Sequence, residues 1–232
     1  MKQKSFVCRE GLFGDSNPEP RLSQAVVDEF ARLLDRPELV EEDLQRFLSD
    51  HCEIIATAFM HIIGFVVPKF AFGDDHISDF VVADWRQLWA VTLVELEPSD
   101  AKAFNKNGTP ARRLASAVKQ ISDWQHWIER HPSYFDEKIA RYHKGFLADL
   151  KRMKFTGEEA EWIMPYLQRW RYMRMQHVVI IGRRGSDFSK DQEDRQAFSR
   201  VSPDRLSIYS YDWLLDVARH HAPNKAIDSD EE

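Results

Sequence analysis

Three β-rich runs follow one another in the first half of the chain, and they constrain the fold more than any other part of the sequence. Phe65–Phe72 and Ile77–Ala83 are separated by the turn signal Gly73-Asp74-Asp75, so they predict two strands of an antiparallel meander. Trp89–Glu97 is almost continuously apolar, which is typical of a central strand buried on both faces. Pro68 places the first run at a sheet edge or a bulge.

Segments with helical spacing flank these strands. Before them, the apolar pattern predicts helices at Ser23–Leu34 and Pro37–Asp50, whereas Cys52–Ile63 fits either a helix or a strand. After them, it predicts helices at Ala111–Glu129, Tyr134–Met153 and Glu158–Trp170, a strand at Met175–Gly182, a short helix at Gln192–Ser199, a strand at Leu206–Tyr209 and a helix at Tyr211–His220. This order indicates an α+β or three-layer αβα fold.

The domain organisation follows from composition and length. The 232 residues suit one main domain with appendages, which we place at 37–222, after an N-terminal lead-in and helix at 1–36. Residues 1–20 carry glycines and prolines with little periodicity and predict irregular structure. The acidic residues 223–232 predict a disordered tail.

The compartment is predicted from cysteines and hydropathy. Cys8 and Cys52 are far apart and lack metal-ligand spacing, so both are interpreted as free thiols in a reducing cytosol. The sequence shows no signal-peptide pattern and no apolar run long enough to span a bilayer. We therefore expect a cytoplasmic protein without a membrane partner.

Three carboxylates stand at the ends of these apolar strands. Strand alternation sends Glu95 and Glu97 to one face, and Asp79 joins them if its strand pairs with the next. An ionised carboxylate beside an apolar core is costly without a partner, and three hard oxygen ligands suit Mg²⁺ or Mn²⁺. The alternative is structural: Asp79 in a hairpin turn, and the two glutamates on a solvated sheet edge.

Four motifs in order carry a family resemblance. They are Ser78-Asp79-Phe80-Val81-Val82, Val94-Glu95-Leu96-Glu97-Pro98, Phe104-Asn105-Lys106-Asn107-Gly108 and Ala117-Val118-Lys119-Gln120-Ile121-Ser122-Asp123-Trp124. Together they resemble the nuclease domain of the Shedu anti-phage defence family, within the PD-(D/E)xK nuclease superfamily. The resemblance covers about residues 40–220, and the order and spacing of the motifs are more specific than any one of them.

The resemblance implies a PD-(D/E)xK-like αβββαβ core, with a mixed sheet flanked by helices, and a divalent-metal-dependent DNA endonuclease using Mg²⁺ or Mn²⁺. By position, Asp79 and Glu95 would be metal ligands, Gln120 would face the site from its helix, and Glu42 would add an outer carboxylate. The resemblance also implies a homo-oligomer. A partner protein is a further expectation, because the N-terminal segment is short for a sensor.

Glu97 departs from the superfamily pattern, which normally has a lysine there to orient the attacking water and offset charge on the phosphate. Three alternatives remain open for this position. Either a lysine from elsewhere takes this role, or Glu97 binds a second metal, or cleavage has been lost. Lys106 or Lys102 in the following loop is the preferred replacement, ahead of Lys119. The alternative function is a non-catalytic nucleic-acid-binding or sensing module on the same fold.

A DNA-binding surface is predicted from basic residues around the carboxylates. The candidates are Lys102, Arg112, Arg113, Lys119 and Arg183. The formal net charge of −6 excludes a uniformly basic surface but not a local phosphate-binding patch. The alternative is an ordinary solvated charged face.

Overall fold

A mixed β-sheet forms the centre of the molecule. The computed structural model describes residues 3–7, 22–73, 76–155, 158–184, 188–201 and 206–222. In this part of the chain the sheet has six strands, which lie side by side in chain order. They are β1 (Lys4–Val7), β2 (Ile63–Phe72), β3 (His76–Trp85), β4 (Trp89–Leu96), β5 (Tyr172–Ile180) and β6 (Leu206–Tyr209).

Helices cover the sheet on both faces. Those within the described ranges are α1 (Gln24–Leu34), α2 (Glu41–Asp50), α3 (Cys52–Phe59), α4 (Arg112–Arg130), α5 (Pro132–Arg152), α6 (Glu158–Leu167), α7 (Phe188–Val201) and α8 (Tyr211–His221). None of the helices in these ranges is long and apolar enough to cross a membrane.

The sheet topology is antiparallel in one half and parallel in the other. Strands β1 to β4 form an antiparallel meander, whereas β5 pairs in parallel with β4 and β6 pairs in parallel with β5. The long connection through α4, α5 and α6 carries the chain back so that β5 can run parallel to β4, as a parallel pair requires. The predicted α+β class with an αβββαβ core is confirmed, and β1 and β6 extend that core.

Alternating side chains of β3 and β4 fill two separate apolar cores. Val81 and Leu93 pack on one face with α4, α5 and α6. Val82 and Val94 pack on the opposite face with α1, α2, α3 and α8. Because both faces are buried, apolar residues are favoured at both positions of the strand repeat. This explains the nearly continuous apolar run that the sequence shows in β4.

Two local predictions are changed by the structure. The predicted irregular lead-in is wrong for Lys4–Val7, which pairs antiparallel with Ile63–Val66 at the start of β2. The ambiguous segment from Cys52 onwards contains both alternatives, because α3 ends at Phe59 and β2 begins four residues later. Pro68 lies beyond the residues of β2 that pair with β1, and no other strand in the described ranges pairs with β2 on that side, so a missing N–H is tolerated there.

Some predictions fall outside the described ranges. Cys8, most of the lead-in and the predicted acidic tail at 223–232 belong to this group, so they stay predictions. Cys52 is a buried free thiol in α3.

Candidate active site

The strand register brings Asp79 and Glu95 to one end of the sheet. Phe80 of β3 lies opposite Val94 of β4, and the two acidic residues each stand one position further along. Glu97 follows β4 directly and donates its backbone N–H to the carbonyl of Ile180 at 2.9 Å. The exposed fractions of these acidic residues are only 6, 8 and 7 % for Asp79, Glu95 and Glu97. The solvated-edge alternative is therefore wrong.

The Asp79 carboxylate is held on both oxygens. Oδ1 accepts a hydrogen bond from Lys69 Nζ at 2.6 Å, and Oδ2 accepts one from the backbone N–H of Leu96 at 2.8 Å. The second bond crosses from β3 to β4 and fixes the carboxylate against the end of the neighbouring strand. Asp79 therefore has a fixed orientation inside the cluster, as a binding or catalytic carboxylate requires.

Glu95 is the most strongly perturbed carboxylate that the cluster contains. Burial, followed by the charges of Asp79, Glu97 and Glu41, raises the pKa of Glu95 to about 9. Gln120 on α4 opposes this shift, because its Nε2 donates to Glu95 Oε1 at 2.7 Å. The other oxygen, Oε2, is buried without a hydrogen-bond partner among the described residues.

Glu97 is perturbed in the same direction. Burial and the charges of Glu41 and Asp79 raise its pKa to about 7, although Arg113 acts in the opposite direction. Its Oε2 atom is also buried and has no hydrogen-bond partner in the described part of the chain. The Tyr211 hydroxyl donates to the Glu97 carbonyl at 2.9 Å, which ties the position of this residue to α8.

Gly182 holds the backbone behind the cluster. Its N–H donates to the carbonyl of Pro98 at 3.1 Å, and its own carbonyl accepts from the N–H of Tyr211 at 3.0 Å. Its φ of +68° is in the left-handed region, and a Cβ at this position would lie 2.3 Å from the Ala101 carbonyl oxygen. Glycine is therefore required by both backbone conformation and space.

Helix α2 contributes Glu41 to the cluster and not the expected Glu42. Glu41, the first residue of α2, interacts electrostatically with Asp79, Glu95 and Glu97, and its own pKa is raised, chiefly by burial. The predicted residue, Glu42, is exposed, and its charge raises the pKa of Glu41. Adjacent helix positions point about 100° apart, so the sequence alone does not determine which glutamate faces inward.

A basic residue that the sequence interpretation missed lies at the cluster. The pairs Pro68–Phe80 and Phe70–Ser78 place Lys69 opposite Asp79. Its φ of +48° is in the left-handed region, which is uncommon for a residue with a side chain. Such strain is often retained at functional sites, where the surrounding structure enforces it. The available signal was a single lysine interrupting an otherwise apolar strand.

The other predicted basic residues are dispersed. Lys102, Lys106, Arg112 and Lys119 are exposed, and the backbone carbonyl of Lys106 accepts from Lys190 Nζ on α7. Arg113 is exposed and lowers the pKa of Glu97 and Glu41. Arg183 is half-buried and bonds to Asp212 and the Leu34 carbonyl. Of the predicted basic residues, the structure therefore brings Arg113 into the electrostatic range of the cluster.

The fit of a divalent cation depends on the donor atoms. In the ranges that the structure describes, no three His, Cys, Asp or Glu side chains are grouped so as to hold a metal ion as they stand. The donor chemistry does fit Mg²⁺ or Mn²⁺, because Glu95 and Glu97 each have a buried oxygen without a partner. Burial is the main cause that raises the pKa values of both residues, and the neighbouring carboxylates raise them further.

Comparison with known proteins assigns the family. The family model described as "Shedu protein SduA, C-terminal" matches residues 38–215, which is more than half of the chain. The chain belongs to the Shedu family. No curated protein sequence gives a match. Membership of the Shedu family suggests a role in anti-phage defence, and the match includes every residue of the carboxylate cluster.

Proposed function

We propose that this Shedu-family chain is a divalent-metal-dependent DNA endonuclease acting in anti-phage defence. The observation that carries the proposal is the excess of buried negative charge at one end of β3 and β4. Asp79, Glu95 and Glu97 are each less than a tenth exposed, and two of their oxygens lack partners within the described residues. A perturbed carboxylate cluster of this kind is typical of a functional site rather than of structural packing.

Asp79, Glu95 and Glu97 would hold Mg²⁺ or Mn²⁺, which supplies Lewis acidity and a nucleophilic water for phosphodiester hydrolysis. The chain itself provides the positioning. Gln120 fixes one oxygen of Glu95, and the Leu96 N–H fixes one oxygen of Asp79. Because metal ligands must be deprotonated, the raised pKa values make cation affinity increase with pH.

Lys69 takes the place of the lysine that Glu97 does not supply. Its Nζ lies 2.6 Å from Asp79 Oδ1, and its side chain is 45 % exposed, so the ammonium group is at the open side of the cluster. A cation placed there can offset the charge that develops on a phosphate during cleavage. Neither Lys102 nor Lys106 has a contact of this kind with the carboxylates in the described residues.

The DNA backbone would approach along α4. Arg112, Arg113 and Lys119 are exposed on this helix, and Gln120 faces the carboxylates from it. Lysine and arginine contacts to phosphate give binding that weakens with salt. The proposal therefore requires DNA affinity that decreases steadily as ionic strength increases.

A plasmid-nicking assay tests the proposal. We expect nicking of supercoiled DNA with Mg²⁺ or Mn²⁺, loss with EDTA, and a decrease of at least about 100-fold for Glu95→Gln, the scale expected when a preorganised electrostatic group is removed. Asp84→Asn is the matched control, since Asp84 is a buried carboxylate at the other end of β3. Metal-dependent nicking that survives Glu95→Gln would contradict the proposal.

The second candidate is a DNA-binding module without cleavage. It is favoured by one observation: both oxygens of Asp79 are already hydrogen-bonded, one of them to Lys69, which neutralises the carboxylate without a metal. On this hypothesis DNA binds with salt sensitivity, whereas calorimetric titration with Mn²⁺ gives no heat of binding. Mn²⁺ uptake together with nicking would decide for the endonuclease.

A further inference from the structure

A cavity lies between α7, β6 and α8. Its volume is about 500 Å³, within the range of small-molecule sites. Among the charged residues that line it are three arginines, Arg184, Arg195 and Arg200, and one acidic residue, Asp191. Arg195 is paired with Asp191 and Arg184 with Asp216, so among the described residues the excess positive charge of the lining comes from Arg200.

Arg195 is a buried cation in this lining. It is 7 % exposed, its Nε donates to Asp191 at 2.8 Å, and one Nη atom contacts the Ile181 carbonyl at 3.3 Å. The other, Nη1, is buried and has no hydrogen-bond partner in the described ranges. A buried cationic donor without an acceptor is unfavourable, and phosphate oxygens match the guanidinium fork well.

An aromatic pair forms another part of the lining. The rings of Tyr209 and Trp213 are stacked, with centroids 3.8 Å apart and planes 20° apart, and both residues are half-exposed. A stacked pair that remains partly open to a cavity offers a flat surface on which a nucleobase can continue the stack. Ser199 and Ser207 add partly exposed hydroxyl groups to the same lining.

The position of the cavity in the fold favours the same kind of ligand. It runs along β6, which is parallel to β5, and reaches the carboxyl end of this strand at Ser210, the end at which parallel α/β sheets commonly bind ligands. Ser210, the N-cap of α8, also lines it. The partial positive charge of this helix terminus adds to that of the arginines.

We propose that this cavity binds a nucleoside 5′-phosphate, with the base stacked on Tyr209 and Trp213 and the phosphate bound by Arg195 and Arg200. The same chemistry is offered by a free mononucleotide and by the 5′-phosphorylated end of a DNA strand. The site is separate from the carboxylate cluster, so the proposal does not depend on DNA cleavage.

Isothermal titration of the full chain in EDTA tests binding without any contribution from a metal site. The probes are deoxyadenosine 5′-monophosphate, deoxyadenosine, inorganic phosphate, and a short oligonucleotide with or without a 5′-phosphate. We expect the monophosphate to bind at least about tenfold more tightly than deoxyadenosine or phosphate alone, since both recognition elements contribute. Equal affinity for inorganic phosphate and the monophosphate would overturn the proposal, as would no binding of any probe.

Variants locate the binding. Trp213→Leu and Arg200→Ala should each weaken monophosphate binding about tenfold, and Ser207→Glu, which places a negative charge in the lining, should abolish it. Trp162→Leu and Arg141→Ala are matched controls, because these residues are exposed on α6 and α5. Circular dichroism checks folding. Binding that is unchanged in Arg200→Ala and Ser207→Glu would place the ligand elsewhere and overturn the proposal.

Titration with the oligonucleotides that carry or lack a 5′-phosphate distinguishes a free mononucleotide from a DNA end as the ligand. Preference for the 5′-phosphorylated strand over the 5′-hydroxyl strand, with affinity at least equal to that of the monophosphate, supports recognition of a DNA end. Binding of the monophosphate with no effect of a 5′-phosphate on the strand supports a free nucleotide. Both outcomes support the shared chemistry of the site.

Discussion

The two buried aspartates of β3 have opposite electrostatic surroundings. Asp84 is 2 % exposed, contacts Arg86 and His61, and accepts the backbone N–H of Ile62 at 3.4 Å. Asp79 is 6 % exposed and has Lys69 as its basic contact, and its charge raises the pKa values of the nearby Glu41, Glu95 and Glu97. One end of the strand is balanced in charge and the other is overloaded with negative charge.

This difference shows how a structural carboxylate is separated from a functional one. Burial alone does not distinguish them, because both are almost fully buried. A structural carboxylate is stabilised by partners within the fold, whereas the Asp79 cluster keeps two buried oxygens without a partner in the described residues and would gain stability from an added cation or proton. Substitutions at the two ends should therefore have different effects.

Removing Lys69, the basic partner of Asp79, should have the largest effect on the rate of DNA nicking. We expect Lys69→Met to reduce metal-dependent DNA nicking by about 10²–10³-fold, because it removes a preorganised positive charge near the phosphate. Rates of plasmid nicking at saturating Mn²⁺ measure this. Lys106→Met is the control, since this lysine is exposed in the loop before α4. A larger loss in Lys106→Met than in Lys69→Met would reverse the assignment.

Neutralising each aspartate should separate stability from function. Asp84→Asn should lower the free energy of unfolding by about 1–3 kcal/mol, because a buried charge-assisted contact is lost. Asp79→Asn should cost less than about 1 kcal/mol, since an exposed-lysine pair contributes little, the amide oxygen still accepts from Leu96, and repulsion is relieved. Urea unfolding measures both. Equal destabilisation would mean that the two ends are electrostatically alike.

Gln120 should affect cation binding moderately. Gln120→Leu removes the hydrogen bond to Glu95 Oε1, and loss of such an outer partner weakens metal affinity about 10-fold or more. Mn²⁺ titration followed by calorimetry measures the change. Gln125→Leu is a matched control on α4, where the glutamine contacts His177. Unchanged Mn²⁺ affinity in Gln120→Leu would exclude a positioning role.

The smallest expected effect is on pH dependence. The pKa of Glu95 is raised to about 9 and that of Glu97 to about 7, so both carboxyl groups contribute stability that is complete below pH 4.5 and is lost as pH increases through these values. Without divalent cations, we expect the free energy of unfolding to decrease by at least about 1 kcal/mol between pH 5 and pH 9, the equivalent of one pKa unit.

Glu95→Gln should make this decrease smaller, because glutamine does not titrate. The other charged groups that face this position are unchanged in the variant, namely Glu41, Asp79, Lys69 and Arg113. Urea midpoints at the two pH values in EDTA measure the slopes. A parent protein that becomes more stable at pH 9 would show that the cluster is compensated within the fold.

The sheet was predictable because its signals are local. The apolar runs that became β2, β3 and β4 and the helical stripe of α4 each carry their own periodicity, so the order of elements could be deduced. Strand β1 was missed, because four residues with little alternation carry too weak a pattern. Its pairing with β2 depends on contacts some sixty positions apart in the chain.

The candidate site was only partly predictable. Asp79, Glu95 and Gln120 could be selected because motif order and strand ends mark them, and the structure places them together. Lys69 and Glu41 could not be selected from the sequence. Whether their side chains lie at the cluster depends on strand register for Lys69 and on the rotation of α2 for Glu41. An error of one residue in either changes which side chain faces the cluster. The roles of these residues remain predictions.

The backbone of Gly182 is hydrogen-bonded to residues beside both proposed sites. Pro98, which accepts its N–H, follows the carboxylate cluster, and Tyr211, which donates to its carbonyl, opens the helix whose Trp213 lines the nucleotide cavity. Any substitution at this glycine displaces both neighbours at once, because a Cβ meets the Ala101 carbonyl oxygen. A substitution at Gly182 is therefore expected to disturb both sites, whereas a substitution inside one lining need not affect the other.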